Sequence, residues 1–140
     1  MVLGLKKILF VCVENAGRSQ MAEAFAKKDG GEEVEVYSAG TMPAPSVHPE
    51  VIQLMMEKGI DLSSKKSQIL SEKLLEKVDL VITMGCSVEG LCPAPLIKNI
   101  IDWKLEDPKG KPIEKVREIR DEVERKVLDL LNQIKQEKQT

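Results

Sequence analysis

Short apolar runs alternate along this chain with longer segments in which apolar residues have the spacing of a helix. Residues 7–13 are mostly apolar and predict a buried strand, and residues 34–38 alternate apolar and polar side chains as a second strand does. Residues 79–84 form a third apolar run, continuous enough for burial on both faces of a sheet, and residues 97–102 form a fourth. The pattern therefore predicts four strands, separated by segments long enough to hold helices.

Helical periodicity fills the segments between the predicted strands. Glycines and prolines mark the ends of these segments, and a serine caps one of them. The predicted helices run from Arg18 to about Lys28, from His48-Pro49 to a stop at Gly59, from Ser71 to Lys77, and from about Ile113 to Lys135. Strands that alternate with helices predict one α/β domain over residues 1–140, built on a parallel sheet with right-handed crossovers.

Composition narrows the class of protein. The 140 residues carry 21 basic and 23 acidic side chains, a net charge of −2 without a basic stripe, which argues against a nucleic-acid-binding surface. The apolar run from Ile8 to Val13 is too short for a signal peptide or a membrane span, so we expect a cytoplasmic protein with no membrane association. Three cysteines in a reducing compartment favour catalytic or redox use over structural disulfides.

The strongest chemical signal is the segment Cys12-Val-Glu-Asn-Ala-Gly-Arg18-Ser19. It places a thiol at the end of the first strand, and an arginine and a serine at the start of the first helix. Such a loop turns backbone N–H groups inward, and Arg18 can hold two oxygens of an anion with its planar guanidinium. The same positive field favours the nucleophilic thiolate of Cys12. A small buried cysteine at a strand end is the alternative, but it leaves Arg18 and Ser19 unexplained.

This segment resembles the active-site loop of the low-molecular-weight phosphotyrosine phosphatase superfamily, which has Cys, five residues, Arg, then Ser or Thr. The fuller pattern Cys-x-x-Asn-x-x-Arg-Ser-Gln-Met-Ala-Glu, here residues 12–23, resembles the thioredoxin-coupled arsenate reductases within that superfamily. The resemblance continues through Tyr37-Ser-Ala-Gly-Thr41, His48-Pro49, Glu57-Lys-Gly-Ile-Asp61, residues 79–86, Cys92-Pro93 and Asp107-Pro108. It implies a three-layer sandwich whose four-stranded parallel sheet has the order 2-1-3-4.

The resemblance also implies which residues form the site. The loop would bind the oxyanion, namely Val13, Glu14, Asn15, Ala16, Gly17, Arg18 and Ser19. Cys12 would attack arsenate while Asp107 protonates the departing oxygen, and Cys86 would then attack the Cys12 sulfur so that arsenite leaves. Cys92 would next attack Cys86, and thioredoxin or a similar dithiol would reduce the resulting disulfide. We expect no metal site, since no Cys-x-x-Cys pair is present. We also expect that the protein needs no cofactor and is a monomer.

Several residues near the loop allow two interpretations. Asn15 is expected to take a left-handed conformation and to brace the loop, and Ser19 could either cap the helix or support the sulfur. The lone His48 is expected at the surface or at a helix cap, and Asp107-Pro108 is also an ordinary turn pair. Many relatives carry Gly in place of Glu14. Because its carboxylate would repel an anion, we expect the Glu14 side chain to point away into solvent.

Three other functions stay open from sequence. A phosphotyrosine phosphatase would use the same loop and Asp107, with water in place of a second thiol, but Lys109-Gly-Lys follows Asp-Pro where those enzymes usually have tyrosines. A phosphocarrier that is phosphorylated on Cys12 generally lacks the arginine. The third is a module that only binds oxyanions or senses redox state.

Overall fold

Four parallel strands form the sheet in a computed structural model of the chain, which describes residues 6–84 and 100–139. The strands are β1 (Lys6–Cys12), β2 (Val34–Gly40), β3 (Leu80–Thr83) and β4 (Ile100–Asp102). Their order is β2-β1-β3-β4 and each neighbouring pair is parallel, so the expected sheet order is confirmed. Strand β1 is central, and it ends at Cys12.

Helices connect and cover these strands. They are α1 (Arg18–Gly30), α2 (Pro49–Met56), α3 (Glu72–Lys77) and α4 (Ile113–Gln139), with a 3-10 turn at Gly31–Glu33. Ser71 caps α3 as predicted, since its hydroxyl accepts a hydrogen bond from the Leu74 N–H at 3.2 Å. None of the described helices is both long and apolar enough to cross a membrane.

Several element boundaries differ from the predicted ones, among them the ends of β2 and α4. Strand β2 continues past Ser38 to Gly40, because residues 39 and 40 still pair with Val11 and Cys12 of β1. Helix α4 runs four residues beyond Lys135, to Gln139. Residues 97–99 of the predicted fourth strand lie outside the described residues.

The side chains of β1 alternate between two hydrophobic cores. Ile8, Phe10 and Cys12 belong to a core that includes residues of α1, α2 and α4. Leu9 and Val11 belong to a second core, which includes residues of α3 and β3. Because both faces of β1 are covered, the strand reads as a continuous apolar run, and its alternation places Cys12 on the side of α1.

Candidate active site

The loop between β1 and α1 turns several of its carbonyl groups outward. Main-chain N–H groups of the segment after β2 bind three of them: Met42 to Val13 at 2.8 Å, Ala44 to Glu14 at 2.9 Å, and His48 to Ala16 at 3.0 Å. The N–H groups of the loop can then face inward, and that of Asn15 donates to the Cys12 Sγ at 3.2 Å. The backbone therefore forms a cradle of donors around the thiol, which is the geometry of an anion site.

Strand β2 approaches this loop very closely at Gly40. A Cβ atom at that position would lie 2.5 Å from the carbonyl oxygen of Val13 and 2.8 Å from the amide nitrogen of Asn15. Both neighbours are backbone atoms of the cradle. Glycine is required here because it alone has no Cβ atom to collide with them.

Asn15 ties the loop to its surroundings. It is fully buried, and its φ of 51° confirms the predicted left-handed conformation. The side-chain amide donates to the Ser19 Oγ at 2.7 Å, while its Oδ1 accepts from the Gln68 N–H at 2.8 Å. The Asn15 carbonyl accepts from the Ser67 hydroxyl at 2.9 Å. The side chain thus joins the loop to α1 and to the segment before α3.

The Cys12 thiol has a hydroxyl beside it. The Ser19 Oγ lies 2.9 Å from the sulfur, and both side chains are buried. Because the Ser19 oxygen already accepts a hydrogen bond from Asn15, its own proton is available to donate to the sulfur. The cap of α1 is Gly17, with no side-chain cap bond, so of the two interpretations of Ser19 the helix cap is wrong. Ser19 and the Asn15 N–H therefore place two hydrogen-bond donors at the sulfur.

Arg18 is anchored at the carboxyl ends of the neighbouring strands. Only 8% exposed, it donates from Nη1 to the carbonyl of Met84, just after β3, and to that of Leu105 at 2.9 Å, after β4. Both bonds use the same nitrogen. The Nε–Nη2 edge is then the bidentate face that an oxyanion would meet. The guanidinium is therefore oriented before any anion binds.

Asp107 lies at the outer edge of the site. Its Oδ1 accepts from the Lys109 N–H at 3.0 Å, as in an ordinary Asp-Pro turn, and its Oδ2 lies 3.9 Å from the Arg18 Nη2. The side chain is 62% exposed. The structure therefore brings Asp107 to the site and also shows the turn that the dipeptide predicted.

The Glu14 side chain is not free in solvent but is paired at the rim of the site. Glu14 is among the residues that line the cavity with Cys12 and Arg18, and its side chain is 32% exposed. Oε1 lies 3.2 Å from the His48 Nε2, and Oε2 lies 3.2 Å from the Lys109 Nζ. His48 and Lys109 hold the carboxylate at the rim, and the Lys109 ammonium offsets its charge, which the argument from repulsion alone had ignored.

His48 is a site residue that sequence reasoning missed. It occupies the cap position of α2 without a side-chain cap bond, and its ring is turned toward Glu14 with 20% of the side chain exposed. The expectation of a helix-cap position is confirmed, but the ring also lines the cavity. No local signal marks this role, since the partner residue is 34 positions away.

The cavity at the thiol is small. Its volume is about 20 Å³, and its lining residues are Cys12, Val13, Glu14, Gly17, Arg18, His48, Asp107 and Pro108. No Tyr, Phe or Trp side chain is among these described lining residues.

A second polar network involves residues of α1, of β2 and of the loop, and sequence reasoning missed it too. The Gln20 side chain, 1% exposed, donates to the Asn15 carbonyl at 3.1 Å. The buried Glu23 carboxylate accepts from the Ser38 hydroxyl at 2.7 Å and pairs with Lys27 at 3.0 Å. The sequence signal that could have identified these residues is the pattern Cys-x-x-Asn-x-x-Arg-Ser-Gln-Met-Ala-Glu, because positions 20 and 23 belong to it.

Two expected redox residues, Cys86 and Cys92, lie outside the described residues. Within residues 6–84 and 100–139, no cluster of three or more His, Cys, Asp or Glu side chains could hold a metal ion. The described part of the site therefore consists of the Cys12 thiol, the loop around it, Arg18, Asp107 and the charged rim.

Comparison with known sequences identifies relatives over nearly the whole chain. The family profile for "Low molecular weight phosphotyrosine protein phosphatase" matches residues 7–140. A Halobacterium salinarum protein provisionally named an arsenate reductase is 46% identical over 132 residues, covering 91% of this chain and 92% of that protein. A Synechocystis protein named glutaredoxin arsenate reductase is 40% identical over 132 residues, covering 93% of this chain and 99% of that protein.

Solved structures include both reductases and phosphatases. A thioredoxin-dependent arsenate reductase of Corynebacterium glutamicum has a TM-score of 0.82 and 35% identity, covering 98% of this chain and 65% of that chain. An arginine phosphatase of Geobacillus stearothermophilus has a TM-score of 0.83 and 29% identity, covering 94% of each chain. One fold is thus shared by proteins named for two kinds of chemistry.

Proposed function

Because this chain belongs to the low molecular weight phosphotyrosine protein phosphatase family, we propose that its loop cysteine attacks a bound oxyanion, and that the reaction is the reduction of arsenate to arsenite. The observation that carries the proposal is the buried Cys12 thiol in a narrow cavity, flanked by the Ser19 hydroxyl at 2.9 Å and lined by Arg18. Relatives named arsenate reductases support the choice of substrate.

Binding uses groups that are already in place. The inward N–H groups of residues 13–17 and the start of α1 receive the oxyanion, and Arg18 holds two of its oxygens. Since the Arg18 Nη1 is already bound to two backbone carbonyls, little side-chain freedom is lost on binding. The narrow cavity favours arsenate or phosphate over a larger organic phosphate.

The first chemical step forms a bond between the Cys12 sulfur and arsenic. The Cys12 thiolate attacks, one As–O bond breaks, and the departing oxygen takes a proton from Asp107 and leaves as water. Asp107 lies at the rim with its Oδ2 3.9 Å from Arg18, within reach of an anion held by that arginine. Ser19 and the Asn15 N–H stabilise the attacking thiolate.

The second step transfers two electrons to arsenic. Cys86 attacks the Cys12 sulfur, the electron pair of the S–As bond stays on arsenic, and arsenite leaves behind a Cys12–Cys86 disulfide. Cys92 then attacks Cys86, which frees Cys12 and leaves a Cys86–Cys92 disulfide. Thioredoxin or a similar dithiol reduces that bond in the cytoplasm, with this chain acting as a monomer. The relay rests on the number of cysteines and on the similarity to reductases.

Phosphatase activity is the second candidate. In that reaction water, rather than a second thiol, would resolve the intermediate on Cys12. The likeness to an arginine phosphatase favours it. The absence of Tyr, Phe and Trp from the described lining residues of the cavity argues against an aryl phosphate as the main substrate.

The test is arsenate-dependent consumption of NADPH by the reduced protein in the presence of thioredoxin and thioredoxin reductase. We expect sustained consumption with the wild type and none with Cys12→Ser. Hydrolysis of a small aryl phosphate, measured in parallel, should be weak. No consumption with either a thioredoxin or a glutaredoxin system, together with rapid phosphate ester hydrolysis, would show that phosphatase is the function.

A further inference from the structure

We propose that Glu14 determines which oxyanions the site accepts, by selecting those that still carry a hydroxyl group, such as arsenate and phosphate, over fully ionised ones such as sulfate. This inference rests on the proposed function, because it names the substrate chemistry of the same site. Its starting point is an acidic side chain inside an anion-binding cavity.

The position of Glu14 places it against any bound anion. It lines a cavity of about 20 Å³ together with Cys12 and Arg18. A tetrahedral oxyanion that reaches both the thiol and the guanidinium fills so small a space. Glu14 is one of the lining residues, and its Oε1 lies 3.2 Å from the Nε2 of His48, a second lining residue, so we infer that its carboxylate lies at the edge of the space that the anion enters.

A carboxylate beside an oxyanion distinguishes anions by their protons. At neutral pH arsenate and phosphate retain an O–H group, which can donate a hydrogen bond to the carboxylate. Sulfate is fully deprotonated, offers only acceptors, and meets a like charge with no donor between the two. The same residue therefore attracts one class of anion and rejects the other.

The two basic neighbours make this acidic group compatible with anion binding. Glu14 Oε1 lies 3.2 Å from the His48 Nε2, and Oε2 lies 3.2 Å from the Lys109 Nζ. Each carboxylate oxygen can accept a second hydrogen bond, so these contacts leave capacity for the anion's hydroxyl. They also fix the carboxylate at the rim, and the Lys109 ammonium offsets part of its charge, so that a protonated oxyanion is still bound.

The experiment measures dissociation constants for inorganic phosphate and for sulfate on the reduced full-length protein at neutral pH, by titration calorimetry. The wild type should prefer phosphate. In Glu14→Gln the ratio of the two dissociation constants should shift toward sulfate by about tenfold or more, because a charge-assisted hydrogen bond and a repulsion are both lost. Glu14→Ala, which offers no amide donor, should lose the preference as well.

Glu124→Gln is the matched control. Glu124 is a partly exposed carboxylate paired with Lys58 at 3.0 Å, comparable to the Glu14–Lys109 pair, but it lies on α4 and does not line the cavity. The preference of Glu124→Gln for phosphate over sulfate should equal that of the wild type. An unchanged preference in both Glu14 variants would overturn the inference, and so would loss of both anions in them, since Glu14 would then serve binding rather than choice. If the wild type bound neither phosphate nor arsenate, the proposed function itself would fail.

Discussion

Replacing Gly40 with alanine tests whether the close approach of β2 shapes the anion cradle. The added Cβ would lie 2.5 Å from the Val13 carbonyl oxygen and 2.8 Å from the Asn15 nitrogen. Gly40 cannot easily retreat, because its N–H donates to Gln68 at 2.8 Å and its carbonyl accepts from Leu70 at 2.8 Å. The loop must therefore move, and restoring an ordinary contact of 3.4 Å from 2.5 Å requires a shift of about 0.9 Å.

The size of the effect follows from that shift. Overpacking of this kind costs about 1–3 kcal/mol, which for a domain of this size lowers the melting temperature by roughly 3–12 °C. Moving a catalytic group by about 1 Å can reduce the rate about a hundredfold. Thermal unfolding and phosphate affinity of Gly40→Ala are the measurements. We expect both to deteriorate, with the loss of affinity persisting well below the melting temperature.

Gly17→Ala is the matched control. Gly17 lies in the same loop, but a Cβ there would meet its nearest neighbour, the Pro108 Cγ, at an ordinary 3.5 Å. Its melting temperature should stay within about 2 °C of the wild type. If Gly40→Ala melted like Gly17→Ala and bound phosphate normally, the argument that β2 positions the cradle would be refuted.

Three further predictions test the chemistry and the fold. Cys86→Ser and Cys92→Ser should each abolish multiple-turnover arsenate reduction but keep weak hydrolysis of an aryl phosphate, and loss of that hydrolysis in a folded variant would contradict the relay. Arg18→Lys should lower kcat/KM for arsenate by about tenfold or more, because a point charge cannot replace a bidentate fork, and near-normal kinetics would remove Arg18 from oxyanion binding. Hydrogen bonds from Arg117 and Arg120 lower the pKa of Glu57 from 4.5 to about 2, so its ionised form contributes stability above pH 4.5 that is lost as the pH falls toward 2. The difference in melting temperature between the wild type and Glu57→Gln should therefore be largest above pH 4.5 and shrink toward pH 2, and a difference independent of pH would contradict this reasoning.

The sheet and the core of the site could be predicted because their signals are local. Continuous apolar runs identified β1 and β3, since a strand covered on both faces needs apolar side chains at every position. Cys12, Arg18 and Ser19 fall within eight consecutive residues, so a single strand-loop-helix turn brings them together. The end of β2 was harder, because the alternation stops at Ser38, and only pairing with β1 carries the strand on to Gly40.

Contacts between distant segments could not be predicted in this way. Arg18 is oriented by backbone carbonyls that lie 66 and 87 positions away. Since every residue has a backbone carbonyl, the residue type does not show which carbonyl will accept this hydrogen bond. The partners of the Glu14 side chain could not be predicted for a related reason. Electrostatic repulsion from an anion was considered, but the attraction of Lys109, 95 positions away, could be weighed only in the folded chain.

The loop around Cys12 and the rim of the cavity come from different parts of the chain. Cys12, Arg18 and the loop between them come from one short segment, so the pattern of that segment identifies the oxyanion-binding loop. The rim is formed by three segments: the loop supplies Glu14, the start of α2 supplies His48, and the turn before α4 supplies Lys109. A change in any one of these segments alters the charge that faces the anion without changing the nucleophile. Two proteins with the same cysteine and arginine can therefore differ in the oxyanion that they prefer, and that preference has to be read from the rim.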